Sequence, residues 1–371
     1  MKIGIDISQI VYGTGVSFYT QNLVENLLKV DKKNEYKLFF SSLRKNLPAN
    51  FNYKAANVKL KKFRIPPTLL EPLFNKSHFL PIENFIGKVD VFHSSDWTQP
   101  SARAKKVTTI HDFGFLKYPQ TAHPKIKAVM ERRFGWLKKE IDMVITISEA
   151  TKKDTMEILG IPEDKIRVIY EAAPEDINQV KNKRTINDVK AKYGIKGNYL
   201  LSVATLEPRK NLKRIIQAFQ ALGIKDLQLV IIGKSGWDTS LQGTDFKKLK
   251  TNVVFTGYVN RQDLAALYSG AVCLAFPSLY EGFGLPILEA MKCGCPVVTS
   301  HLSSMPEVAG RAGILVDPMD VEEIGKGFYE VVSNKNKRQE MIKEGFKQVK
   351  KFSWEKTAEE TLKVYQDVVK Q

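Results

Sequence analysis

The sequence predicts an α/β protein built from two doubly wound parallel-sheet domains. Three observations predict it: short β-rich runs alternate with amphipathic stretches, the alternation occurs twice, and a polar, basic stretch separates the two series. Strands that alternate with helices imply parallel sheets covered on both faces. At 371 residues the chain is also long for one domain.

In the first series "KIGIDI", "YKLFFSS", "VDVFHSS", "KVTTIHD" and "DMVITIS" read as buried strands. The second supplies "YLLSVAT", "LQLVIIG", "NVVFTG", "AVCLAFPS" and "CPVVTS". Between them, stretches such as "VSFYTQNLVENLLKV" and "NLKRIIQAFQALG" carry apolar residues at helical spacing. Residues 174–198, "PEDINQVKNKRTINDVKAKYGIKGN", hold few large apolar residues and read as the linker. The predicted organisation is a first domain over 1–175, a linker over 176–197, a second domain over 198–352 and a terminal helix over 353–371. That helix opens on a capping residue, Ser353. Which domain it covers is left open, a return to the first being one arrangement. The halves show no self-similarity, which excludes a repeat array. In open α/β sheets ligands bind beyond the carboxyl ends of the strands. The expected site is therefore the cleft between the facing domains, built from loops that follow strands.

Composition, 43% hydrophobic and 26% charged, is that of a globular chain with ample core. No segment approaches ~18 uninterrupted apolar residues, so no membrane span is expected. The start, "MKIGIDISQI", lacks the apolar region and cleavage site of a signal peptide. Three cysteines (Cys273, Cys293, Cys295) do not make a disulfide framework, and no histidine pair completes a zinc pattern. A reduced, cytoplasmic compartment is expected. The net charge of +17 attracts polyanions: nucleic acid, anionic lipid or phosphorylated substrates. Residues 54–64, "KAANVKLKKFR", carry five cations and no acid. Residues 123–141, "HPKIKAVMERRFGWLKKEI", interleave six Lys/Arg with apolar residues. On a helix Ile126, Met130, Phe134, Leu137 and Ile141 form one stripe flanked by cations. Two readings stand: a helix lying in an anionic membrane surface, peripheral on the cytoplasmic face, or an ordinary helix whose stripe enters the core. No recognition motif accompanies the charge, so nucleic acid is not expected as a partner.

The densest motif follows the strand "AVCLAFPS" and reads "LYEGFGLPILEAMKCG". Gly282 and Gly284 let the backbone approach a ligand. Pro286 suits the first helical position, and Gly294 can end the helix. Amides around Gly284 to Ile287 would be unpaired at the helix start, where the dipole favours an anion such as a diphosphate. Glu281 stays on the loop. Glu289 lies about one turn inside the helix, ~5 Å further along, where it can accept hydrogen bonds from a diol such as a ribose. An ordinary loop-to-helix junction would leave the agreement of glycines, proline and both glutamates unexplained.

Three other segments each carry two readings. In "SVATLEPRKNLKRII" Arg209 and Lys210 stand at a strand-to-helix junction. They either face a diphosphate, stabilising charge on a leaving group, or form a plain basic helix start. "VYGTGVSFYTQNL" holds Gly13 and Gly15, but Phe18 takes the third glycine position of a dinucleotide fingerprint. A tight turn and a ligand contact fit it equally. "TTIHDFGFLKYP" ends an apolar strand with His111 and Asp112, where a satisfied edge histidine is the commoner case. Ser148 in "ITISEATKKD" fits a helix cap.

The stretch from Glu281 to Glu289 resembles the Glu-x7-Glu motif of retaining glycosyltransferases of family 4, which have the GT-B architecture. The resemblance continues through "AMKCGCPVVTSHLSSMPEVAGRAGILVDPMD" and covers most of residues 195–330. It implies that Glu281 contacts the donor sugar and Glu289 holds the ribose. It also places the backbone of Gly282, Phe283, Gly284 and Leu285 near sugar and phosphate. "EPRKN" resembles the element that binds donor phosphates, which implies that role for Arg209 and Lys210. The Gly-Arg that many members carry after the preceding strand is replaced here by Ala204 and Thr205. By the same resemblance His111 reaches the donor sugar and reacting centre, and Gly13 and Gly15 border donor phosphates and acceptor. The implied activity is transfer of a hexose from a nucleoside diphosphate to a glycan or lipid-linked acceptor, with retention, in cell-surface glycan or glycolipid synthesis. The "EPRKN" type favours GDP-mannose over a UDP-sugar. No Asp-x-Asp pair occurs, so no metal and no cofactor beyond the nucleotide-sugar substrate is expected. The rivals are a nucleotide-sugar epimerase of the same fold and a non-enzymatic basic protein that binds membrane or nucleic acid.

Overall fold

A computed structural model describes residues 1–121, 124–204, 207–233 and 252–371. They form two compact units, Met1–Glu171 with Ser353–Gln371 and the continuous stretch Ala172–Phe352.

The sheet of the first unit contains β1 (Lys2–Asp6), β2 (Glu35–Ser41), β3 (Val58–Phe63), β4 (Val91–Ser94), β5 (Lys105–Ile110), β6 (Met143–Thr146) and β7 (Ile166–Val168). All neighbours are parallel, in the order β3-β2-β1-β4-β5-β6-β7. The order reverses between β1 and β4, the place where open α/β sheets bind ligands. Five strands coincide with apolar runs read from the sequence. Two do not, the three-residue β7 and β3, which comes from the basic stretch 54–64. There Val58, Leu60 and Phe63 are half-buried while Lys59, Lys61 and Lys62 face outward. Lysines on a sheet edge discourage pairing with another chain, which gives these charges a structural use.

The helix Pro124–Glu140 resolves the choice left open for the basic amphipathic stretch. Met130, Phe134, Leu137 and Ile141 are buried in a cluster with Ile110, Phe113 and Val144. Its apolar stripe covers the sheet, so it is not offered to a membrane; Ile126 alone of the five is 39% exposed. Among the described residues no helix is long and apolar enough to cross a membrane. The helix Trp354–Lys370, capped by Ser353, belongs to this unit and packs on the helix Gly15–Val30. Trp354 meets Phe18 edge-on at 5.6 Å, and Tyr365 hydroxyl lies 2.6 Å from His93 Nδ1. Burial, with His111 and Arg133 nearby, holds the His93 pKa down to about 3, so it serves as a neutral hydrogen-bonding group.

The second unit carries β8 (Asn198–Val203), β9 (Leu227–Ile232), β10 (Val253–Gly257), β11 (Cys273–Phe276), β12 (Val297–Ser300) and β13 (Gly313–Val316). They are parallel in the order β10-β9-β8-β11-β12-β13, reversing between β8 and β11. Helices Leu212–Leu222 and Val321–Ser333 bury Ile215, Phe219, Ile324 and Phe328 against one face of it. Residues 176–197, read above as a linker, contain a helix, Lys183–Lys192, that packs on the helix Arg261–Gly270 of this unit. Asn182 caps it and Val189 is its buried residue, so a polar sequence suffices for a helix that covers so little.

Candidate active site

At the reversal of the second sheet, β8 leads into a short turn, Pro208–Lys210, and β11 leads into the Glu281 loop. Asn211 ties the two together. It adopts φ 61°, and its Nδ2 donates to Pro277 O at 3.0 Å and Pro318 O at 2.6 Å. Leu279 N donates to Arg209 O at 2.8 Å. Across this junction Lys210 Nζ donates to both Glu281 oxygens, at 2.7 and 2.9 Å. Arg209 Nη1 donates to Glu281 Oε2 at 2.9 Å and to Tyr280 O at 3.2 Å, while its Nε reaches Glu207 Oε2 at 3.0 Å. Burial works to raise the Glu281 carboxyl, yet Lys210 and Arg209 outweigh it and hold the group below its ordinary value. Burial and Arg209 push the Lys210 ammonium down, against the pull of Glu281. The arrangement is one buried carboxylate clamping two cations.

Ser303 Oγ donates to Glu281 O at 2.5 Å, and Ser304 Oγ lies 3.0 Å from Glu281 O and 2.8 Å from Phe283 O. These serines fix the loop backbone. Gly284 has φ 101°, and a Cβ there would stand 3.2 Å from Ile287, so the turn into the helix calls for glycine. The helix Leu285–Lys292 starts without a side-chain cap, with Pro286 at its second position instead of its first, and Gly294 follows its end at φ 72°. On it, Glu289 accepts a 2.9 Å hydrogen bond from the buried Tyr268 hydroxyl. Burial raises the Glu289 carboxyl, opposed by Tyr268 and Arg261.

His111, Gly13 and Gly15 belong to the first unit. His111 follows β5, is 9% exposed, meets the Tyr19 ring edge-on at 4.7 Å and has Nδ1 3.5 Å from Glu171 Oε1. Burial lowers its basicity, but Glu171, Asp96 and Asp112 together raise its pKa above the ordinary 6.5. A raised folded value gives stability that is full below the unfolded pKa and lost as pH rises through the folded one. Urea unfolding is therefore expected to show a wider gap between wild type and His111→Gln at pH ~6 than at pH ~9. Equal gaps would mean that folding leaves the His111 pKa where it is in the unfolded chain. Asp112 accepts from Gly114 N at 2.9 Å, and Ser148 caps the helix Glu149–Leu159 through Thr151 N at 3.0 Å. Gly13 takes φ 68° in the turn before the helix Gly15–Val30, and a Cβ at Gly13 or Gly15 would meet open space. Of the departure at Ala204 and Thr205, Thr205 lies outside the described residues.

Residues 185–348 match the family described as glycosyl transferases group 1, and residues 13–175 match glycosyltransferase family 4. The O-antigen chain mannosyltransferase B of Escherichia coli is 31% identical over 98% of this chain and 99% of its own. The chain belongs to glycosyltransferase family 4. Its fold is shared with a sucrose-phosphate synthase from Thermosynechococcus elongatus, with TM-score 0.76, 20% identity and 99% of each chain covered. It is shared too with the Anabaena protein HepE, solved with UDP-glucose, with TM-score 0.73, 16% identity, and 99% of this chain and 100% of that one covered. The glycosyltransferase is thus a GT-B enzyme with two Rossmann-like parallel-sheet domains, and synthesis of cell-surface glycans fits its relatives. Of the residues singled out in its sequence, the fold gathers Arg209, Lys210, Glu281 and the Gly282–Leu285 backbone, with Glu289 on the helix that follows. Glu207, Tyr268, Ser303, Ser304 and Glu171 escaped the sequence reading. Only Glu207 stands close enough in sequence to its partner, Arg209, for spacing to have raised it.

Proposed function

We propose that the enzyme transfers a mannosyl group from GDP-mannose to a hydroxyl of a glycan or lipid-linked acceptor, with retention and without a divalent metal. The observation that carries the reading is the Lys210–Glu281–Arg209 clamp at the carboxyl ends of β8 and β11, followed by an uncapped helix start and Glu289. Lys210 and Arg209 take up the charge that builds on the departing diphosphate. Amides of the Gly282–Leu285 turn approach phosphate and sugar, Glu289 accepts from the ribose hydroxyls, and Glu281 orients the sugar. His111 lies at the reacting centre, and the diphosphate oxygen takes the acceptor's proton as the glycosidic bond loosens. The likeness to an O-antigen mannosyltransferase over the whole chain supports mannose. A nucleotide-sugar donor supports work in the cytoplasm.

The test is a thermal-shift and unfolding comparison with GDP-mannose, UDP-glucose, UDP-N-acetylglucosamine and the free nucleotides, with and without chelator. At ~100 times its dissociation constant the right donor should add ~2.7 kcal/mol. GDP-mannose should do so whether or not chelator is present, and Glu289→Ala should abolish the shift. Stabilisation by a UDP-sugar alone would replace the donor assignment. No shift with any nucleotide would sink the reading.

A further inference from the structure

The groups around His111 come from several elements of the first unit. Tyr19 stands on the helix Gly15–Val30, Asp96 after β4, Asp112 on the histidine's own loop and Glu171 after β7. His93 on β4 and Arg133 on the helix Pro124–Glu140 complete the set. Of the three carboxylates, Asp96 lies 3.6 Å from Arg133 Nη1, and Asp112 accepts from Gly114 N. Glu171 instead puts Oε1 3.5 Å from His111 Nδ1, with only 4% of its side chain exposed. A carboxylate buried so deeply needs a donor, and the Nδ1 side of the ring supplies it.

The terminal helix Trp354–Lys370 reaches this arrangement at three places. Thr357 Oγ1 lies 2.7 Å from Tyr170 O, the carbonyl just before Glu171. Trp354 meets the Tyr19 ring at 5.9 Å, and that ring meets His111 edge-on at 4.7 Å. The Tyr365 hydroxyl bonds His93 Nδ1, and His93 Nε2 stands 3.0 Å from Thr109 Oγ1, which also lies 3.1 Å from the Tyr19 hydroxyl. Glu171 is the last residue of the first stretch before the chain enters the second unit. Its backbone is nevertheless tied to the first, since Ile169 N donates to Thr146 O at 2.9 Å and Tyr170 O faces Thr357.

We infer that Glu171 is a positioning residue for the transfer: it takes the Nδ1 proton of His111, stops the ring from turning over and leaves Nε2 for the reacting centre. The terminal helix holds Glu171 in place through Tyr170. The inference rests on the reading that puts His111 at the reacting centre, and adds to it the group that orients the ring. The two nitrogens of an imidazole are distinct, and the acceptor that faces one of them decides which carries the proton. Without that acceptor the ring has two orientations and two tautomers, and they are no longer matched to one task.

The test reads the histidine itself. Ring nitrogen NMR spectra of the full-length protein, with His111 assigned among the five histidines by His111→Gln, show which nitrogen keeps the proton. In wild type, above the His111 pKa, that proton is expected on Nδ1. In Glu171→Gln, which keeps an acceptor but removes the charge, His111 should titrate at lower pH. Glu171→Leu, which offers no acceptor, should lose the Nδ1 preference as well. Turnover of the donor should fall by up to ~100-fold in Glu171→Leu with donor KM little changed, and by less in Glu171→Gln. Thr357→Val should shift the His111 resonances although Glu171 is untouched. A proton on Nε2 in wild type would overturn the inference, and that reading needs no variant to fold. An unchanged His111 titration in both Glu171 variants would overturn it too, leaving Glu171 a structural residue only. His111 resonances unmoved in Thr357→Val would remove the terminal helix from it. The spectra use neither donor nor acceptor, so a wild type without nucleotide-sugar turnover counts against the transferase reading, and the two failures are distinguishable.

Discussion

Lys210→Ala is expected to lower turnover by ~100-fold or more, the scale of losing one transition-state electrostatic group. Lys210 is held 2.7 Å from Glu281 and only 12% of its side chain is exposed, so its charge is poorly screened by water. The donor is already anionic when it binds, but more negative charge reaches the diphosphate as the glycosidic bond breaks. A cation fixed beside it therefore favours the transition state over the bound donor, and the loss should fall on kcat more than on KM. Lys210→Arg should not restore the rate fully, because the bulkier planar guanidinium places its charge differently from the compact ammonium that Lys210 holds between both Glu281 oxygens and Arg209. Steady-state rates of nucleotide release, with donor affinity measured in parallel, check this. A near-normal rate in Lys210→Ala would remove the cation from the mechanism.

Glu281→Ala should cost a similar ~100-fold in turnover and, unlike the lysine variant, a large share of the second unit's stability. Glu281 is 6% exposed and is the carboxylate shared by Lys210 and Arg209. Without it Lys210 loses the carboxylate that both its hydrogen bonds reach, while Arg209 keeps Glu207, and a broken buried pair typically costs ~3–5 kcal/mol. The Lys210→Ala/Glu281→Ala double variant should unfold at a higher urea concentration than Glu281→Ala alone, since the second change removes the buried ammonium that Glu281 answered. Additive losses in unfolding free energy would show that the clamp is not an energetic unit. The Glu281 carboxyl is held low, so the stability that it supplies is present above its unfolded pKa and fades as pH falls through the folded one.

What the sequence made legible was local. Gly282, Gly284 and Pro286 announce a loop that becomes a helix, and that junction places Glu281 and Glu289 by spacing alone. The parallel sheets were legible too, since strands such as β5 and β9 are apolar runs bounded by amphipathic stretches. Pairings across the chain were not. Lys210 and Glu281 are 71 residues apart, and nothing in either neighbourhood says that they touch. The same holds for Tyr268 with Glu289, and for the serines that grip the Glu281 loop from beyond β12. β3 was hidden because its lysines sit at an edge, where the usual apolar signal is weakest. β7, with three residues, was too short to signal at all. The helix 183–192 went unread because its partner covers only a narrow strip, so few apolar residues were required.

The first unit is assembled from two stretches of chain with the whole of the second unit between them. On the ribosome, Met1–Glu171 emerges before Ala172–Phe352 and must wait for it, while the segment from Ser353 onward is still to come. Until the helix Trp354–Lys370 arrives, the face of Gly15–Val30 that receives Trp354 has no cover, and His93 lacks the Tyr365 hydroxyl. The uninterrupted second unit has no such dependence and can reach its folded state during synthesis, as domains generally do. The half that is translated earlier is therefore completed later, and its nascent form carries the exposed apolar surface that chaperones bind.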